Sequence, residues 1–263
     1  MMDKLSIEVF DASGPKIAGA TGTGSVSLDL VGCLSEGDVI LFSGSRHMLI
    51  KLDPCIPEGE VYAPNGSFIY KVPAGEHRLA YDPKAFKSEN TVITARAMTE
   101  EEISELRPIS RNPHDLRGDT DFFPHATANV ETRNESCFAA RCVIDGFTEN
   151  TSHGKFPYQS WGIGTREDAY CVIDFGRDIE TSSMALTLRA DWPHDSWWTQ
   201  GTVLLSDGFE FTFGLEKKAV PQTIDFGGKH VINSIKLFGL KKAADESPFP
   251  ALTQWEVFGR DID

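Results

Sequence analysis

Arg189, Asp191, His194 and Asp195, threaded among Trp192, Trp197 and Trp198, make residues 189–198 (RADWPHDSWW) the chemically richest stretch of the chain. Exposed apolar area is costly unless a partner covers it, so a loop this rich in indole rings calls for one. Aromatic faces beside fixed hydrogen-bonding groups suit a flat, polar-edged ligand such as a sugar ring. The arginine ends an apolar run, and its guanidinium fork can donate to two vicinal hydroxyl oxygens; pairing with Asp191 or Asp195 would instead only fasten the loop. Trp197 and Trp198 cannot both face one way in an extended segment, so one is expected to enter the core and the other to meet a ligand or partner. A second group, His153, Lys155, Phe156, Tyr158 and Gln159, lies between Asp145-Gly146 and Trp161 and offers similar chemistry. His194 beside Asp195 does not read as a base with its orienting acid, because sequence neighbours seldom aim side chains at each other. No nucleophile motif accompanies them, and HExxH, GxSxG and phosphate-loop patterns are absent. A glycine-rich run, 19–24 (GATGTG), reads as a hairpin loop rather than a phosphate cradle.

The elements that must position these residues are strands. Leu5, Ile7 and Val9 alternate with polar neighbours, as do Val26, Leu28 and Leu30. Further strands are predicted over 38–42, 48–52, 67–72 and 92–97, separated by Gly- and Pro-containing turns. Thr99 with Glu102 forms a capping box for one short helix, which Pro108 must end. An irregular connector follows, long enough to dock on the first region. Later strands are predicted over 170–175, 185–189, 202–206, 210–214, 223–226, 234–240 and 255–259, with a hairpin at Ser206-Asp207-Gly208. The expected architecture is all-β: a β-sandwich over residues 1–97, a short helix and connector over 98–122, and a second β-sandwich over 123–263.

The 263 residues carry 39 acidic and 25 basic side chains, a net charge of −14. That balance argues against nucleic acid and against anionic membranes as partners. No run approaches the roughly 20 apolar residues of a membrane span. The N-terminus holds no apolar stretch of signal length, and the five cysteines fall at scattered spacings without a CxxC pair. A cytoplasmic protein with reduced thiols is expected.

The order of features in the second half carries a resemblance. Residues 126–131 (ATANVE), 138–146 (FAARCVIDG), Trp161-Gly162, 170–177 (YCVIDFGR), the hairpin and a final 256–259 (EVFG) together resemble the galactose-binding-like β-sandwich of the discoidin and coagulation-factor C-terminal type, which includes many carbohydrate-binding modules. The resemblance implies a jelly-roll fold and a sugar seated on loops at one end of the sandwich. Its expected ligand-binding residues are Arg189, Asp191, His194, Asp195, Trp197, Trp198, His153, Phe156, Tyr158 and Gln159. It also implies a structural calcium ion, with Asp145 and Glu256 at the matching positions and Thr148 and Asn150 as further oxygen donors. Calcium takes about six to eight hard oxygens, and the loop here reads Asp145-Gly146-Phe147 where the family often has a second polar residue. No cofactor is otherwise required. The chain is thus expected to be a non-catalytic carbohydrate-binding protein. The alternatives are an oligomerisation protein using its aromatic loops as an interface and, ranked last, a glycan hydrolase.

Overall fold

A computed structural model describes residues 3–150, 154–190 and 195–262. The chain is all-β, and every strand pairing is antiparallel. In the first part, β1 (Lys4–Phe10), β2 (Lys16–Thr23), β4 (Val39–Ser43) and β7 (Ser67–Lys71) form one sheet in the order β2-β1-β4-β7. A second sheet, β3-β8-β5-β6, uses β3 (Ser25–Val31), β5 (His47–Lys51), β6 (Gly59–Tyr62) and β8 (Asn90–Ala97). The alternation seen in the sequence is realised: Leu5, Ile7 and Val9 face Ile40, Phe42, Phe68 and Tyr70 in a buried cluster. The glycine-rich run is not a loop. It lies mostly within β2, and only Gly24, at φ 73°, makes the turn into β3.

The helix α1 (Glu100–Ser104) begins at the capping box: Glu102 N donates to Thr99 Oγ1, and the Glu102 carboxylate accepts from Thr99 N. Beyond it, β9 (Arg107–Pro108) joins the second sheet system and the connector docks rather than swinging free. Phe122 from this connector, and Cys142 from beyond it, pack into the first apolar cluster.

The second part is one eight-stranded sheet. Its main path is β11-β16-β12-β15-β13-β14, with β9 added to β16 and β10 (His125–Ala128) to β12. The ranges are β11 (Trp161–Gly162), β12 (Cys171–Leu188), β13 (Trp198–Leu205), β14 (Glu210–Gly214), β15 (Gln222–Lys242) and β16 (Ala251–Asp261). Two pairs of short strands expected from the sequence are therefore two long ones. Bulges explain both: register shifts fall between Asp174 and Ile179 and between Thr181 and Ser183, near Gly176 at φ 66°. Each inserted residue flips the alternation. Ile173, Phe175 and Ile179 thus share a core with Met184, Leu186 and Leu188 although their parity differs. Among the described residues, no helix is long and apolar enough to cross a membrane.

Candidate functional site

Among the described residues, the two loops expected to bind ligand meet at the end of the second sheet, where β12 stops and β13 and β16 start. Arg189 continues from β12 and is 1% exposed. Its backbone N–H donates to Ala251 O, and its Nη1 donates to Tyr158 O at 2.9 Å. The two aromatic loops predicted from the sequence are therefore fastened together by this guanidinium. It is not available as an open fork for hydroxyl groups, because the strand end that carries it is covered by the 154–160 segment.

Of the tryptophan pair, Trp198 is the one that enters the core. It is 1% exposed and sits in the second core, tilted against Trp161 with ring centroids 6.3 Å apart. A ring so enclosed cannot present a stacking face. Trp197 is half-buried and packs on the edge of the same core. Asp195 is half-buried beside Lys217, with its Oδ2 3.5 Å from Nζ. Gln159 is buried, and its amide serves as a tie: Oε1 accepts from Tyr158 N, and Nε2 donates to Leu79 O in the first part of the chain. Phe156 meets Phe147 edge-on at 5.0 Å, and Tyr158 meets Phe138 edge-on at 6.5 Å. His153, Asp191 and His194, with Trp192, lie outside the described residues.

The four expected calcium donors have different surroundings. Asp145 Oδ1 accepts from Phe147 N at 2.9 Å, closing its own turn. Burial pushes its carboxyl up to about 7, against the pull of Arg141 and Arg111, so near neutral pH it is a poor hard-cation ligand. Arg111 lies so close to Gly146 that a Cβ there would be 2.4 Å from its Nε. The same guanidinium acts on Glu256, whose carboxyl burial raises. The Arg111 charge thus opposes the effect of burial at both carboxylates. Thr148 and Asn150 line a different space. Among the described residues, only His47, Glu60 and Asp261 bring three ligand atoms within 4.8 Å of one another, and Arg107 and Arg177 already engage those two carboxylates.

The space beside Thr148 and Asn150 is the more informative feature. It is an open hollow of about 350 Å³, walled by the 148–150 segment, Leu188 at the end of β12, residues 219–221 and Thr253 of β16. Both amide atoms of Asn150 are buried without a partner. Thr187 and Gln254 face each other across β12 and β16 on the adjoining strand positions. Gln254 Oε1 accepts from Gly146 N at 3.2 Å, while its Nε2 and the Thr187 Oγ1 have no partner. Buried polar groups left unpaired cost about 1–3 kcal/mol each, so a concentration of them asks for an explanation. The sequence offered Asn150 and Thr148 only as oxygen donors. It carried no signal for Thr187 or Gln254, which read as ordinary strand positions.

No protein-family model matches the chain, and a search of curated proteins finds no match. Several solved structures are similar over about half of it. The family 32 CBM from C. perfringens NanJ in complex with galactose is 18% identical, covering 51% of this chain and 91% of that one, with a TM-score of 0.39. Chitosan-binding module 1, derived from a chitosanase/glucanase of Paenibacillus sp. IK-5, is 15% identical over 52% of this chain and 95% of its own, at a TM-score of 0.39. The lectin domain of Lectinolysin complexed with Lewis B antigen is 14% identical over 59% and 98%, at 0.42.

Proposed function

We propose that this chain is a non-catalytic binder of a neutral saccharide, seated in the hollow beside Asn150. The observation that carries the reading is the Asn150 side chain in the lining, both of whose amide atoms are buried without a partner. Sugar hydroxyls both donate and accept, and amides and hydroxyls answer them in kind. Leu188, Ala219, Val220 and Pro221 supply an apolar wall for the C–H face of a ring. Among the described residues, Glu149 is the single formal charge in the lining, which favours an uncharged ligand. A volume of about 350 Å³ suits one or two rings. Glycoside hydrolysis takes two carboxylates astride the bond, and the lining offers one. In this reading Arg189 and Gln159 are positioning residues that hold the loops rather than contacts to the sugar.

The test is a titration of isotope-labelled protein with galactose, N-acetylgalactosamine, fucose and glucose. At least one sugar is expected to shift the Asn150 side-chain amide resonances, with a dissociation constant on the order of millimolar, as a shallow seat allows. Asn150→Ala, which removes a donor and an acceptor, is expected to weaken that binding about tenfold with the circular dichroism unchanged. An Asn150 amide that stays still across the whole panel sinks the reading.

A further inference from the structure

Arg141 sits where the two parts of the chain meet, 2% exposed, and among the described residues it makes no salt bridge. Its Nε donates to Asp115 O at 2.7 Å, Nη1 to Ala80 O at 3.2 Å and Nη2 to Pro113 O at 3.1 Å. The guanidinium also lies over the Tyr81 ring, 4.4 Å from its centroid. Two carboxyls act on its charge, and neither is free to neutralise it. Asp115 spends one oxygen on His125 Nδ1 and the other on Ala126 N, and burial holds the Asp145 carboxyl up to about 7. Backbone dipoles and an aromatic face thus stand where a buried cation ordinarily has a carboxylate.

The same side chain lines two hollows. One, of about 290 Å³, is formed by the end of β7, the segment after it and the connector, and its charged or titratable groups are Lys71, His77, Arg117, Asp119 and Arg141. The other, of about 470 Å³, shares His77, Arg117 and Arg141 and reaches to residues 126–131. Glu131, the carboxylate of the second hollow, is already spent: Oε2 accepts from Arg117 Nε at 2.7 Å and Oε1 from Ala140 N at 2.9 Å. Glu76, next to His77, is likewise turned to Ser136 and Arg117. Apart from those pairs, the first hollow holds Arg141, Lys71 and the His77 ring against Asp119. The Lys71 and His77 side chains are exposed and make no hydrogen bond or ion pair among the described residues.

We propose that the hollow lined by Lys71, His77 and Arg141 is a binding site for a small anion, a compound carrying one carboxylate or phosphate group. A cation withdrawn from water acts on a ligand with little screening, so Arg141 supplies attraction from beneath the surface. The exposed Lys71 ammonium and the His77 ring are donors that water does not have to be stripped from a partner to use. Val72, Pro73, Ala74 and Leu116 give the rest of the compound an apolar surface. Asp119 offsets part of the positive charge, which limits the ligand to one charged group. A polyanion is disfavoured by the rest of the molecule, whose net charge is −14. This site shares no residue with the hollow beside Asn150 and stands independently of the saccharide reading.

The experiment titrates isotope-labelled protein at pH 7 and constant ionic strength with methyl phosphate, acetate and the neutral acetamide, following the backbone resonances of Ala74 and Leu116. At least one of the two anions is expected to move both resonances, with a dissociation constant on the order of millimolar. Acetamide is expected to leave them in place, and the tighter-binding anion identifies the recognised group as phosphate or carboxylate. Lys71→Gln, at an exposed strand end, is expected to weaken that binding about fivefold with the circular dichroism unchanged. Arg141→Gln is expected to abolish it. Because Arg141 also ties three backbone segments together, Lys71→Gln and acetamide decide the matter without that variant. Resonances that move no further with either anion than with sodium chloride, an equal response to acetamide, or binding unchanged in Lys71→Gln would each overturn the assignment.

Discussion

Asp145 shows how one side chain can separate a structural role from the metal-binding role its motif implied. Its carboxyl is wholly buried, and burial lifts it to about 7 against the pull of Arg141. An acid whose folded value lies above its unfolded value, about 3.9, costs stability as pH rises. Between roughly pH 4 and 7 the unfolded chain releases this proton while the folded chain keeps it, so this group lowers stability across that window and no further above it. Asp145→Asn keeps an oxygen for Phe147 N and never ionises. Its melting temperature relative to the parent is expected to rise steadily from pH 4 to 7 and to level off beyond pH 8, as read by calorimetry. A constant difference across that range would show that Asp145 titrates normally. The residue scale is also where the sequence misled most about the site. Val203 and Leu205 point inward from β13, and strict alternation back from them places Trp197 inside and Trp198 out. Between Trp198 and Gln200 β13 carries one residue more than β15 opposite it, which reverses that face. No composition signal marks such a bulge, and the burial of Trp198 follows from it. That Arg189 could fasten its loop was legible, but its acceptor Tyr158 O, a backbone atom of the other aromatic loop, carried no signal in the sequence.

At the scale of elements, the short, evenly alternating strands of the first part were readable because each buries one face of a sheet and turns at Gly or Pro. The strand β2 was missed because glycines and alanines leave almost no apolar contrast to read. Long strands were cut in two for a related reason: glycine breaks the pattern where it permits a bulge. Gly176 illustrates the physical demand. Its φ of 66° is one that L side chains rarely adopt, and an added Cβ would lie 2.3 Å from the ring of Phe123. Gly176→Ala must therefore displace that ring or distort the irregular stretch of β12 between Asp174 and Ile179. A loss of about 2–4 kcal/mol is expected from strain and overpacking together. Urea unfolding measures it, and a loss under about 0.5 kcal/mol, the range of an ordinary surface change, would show that the bulge accommodates a side chain.

Across the whole molecule, a closed ring of charges ties the two parts together. Glu60 of β6 accepts from Arg107 at 2.8 Å through both oxygens and from Arg177 Nη2 at 2.8 Å, while Asp261 at the end of β16 binds the same two arginines. Arg177 also lies over the ring of Tyr62, 4.5 Å from its centroid. Nothing in the sequence could have brought these residues together, because Glu60, Arg107, Arg177 and Asp261 are spread widely along the chain. Burial alone would raise the Glu60 carboxyl, but His47, Arg107 and Arg177 overcome it and hold it at about 2. A folded value depressed in this way contributes stability that is present above the unfolded value near 4.3 and is lost as pH falls toward 2. Glu60→Gln leaves the shape intact and removes the charge. Breaking one partner out of a buried ion network costs about 3–5 kcal/mol, so the variant is expected to melt well below the parent at pH 7. The gap is expected to close as the pH drops from about 5 toward 2, the opposite course to that of Asp145→Asn. Calorimetry of the parent and variant from pH 2.5 to 7 separates the outcomes. A gap that persists unchanged at pH 2.5 would mean that Glu60 acts through shape, and that the two parts are held by their shared packing at Phe122 and Cys142 rather than by charge.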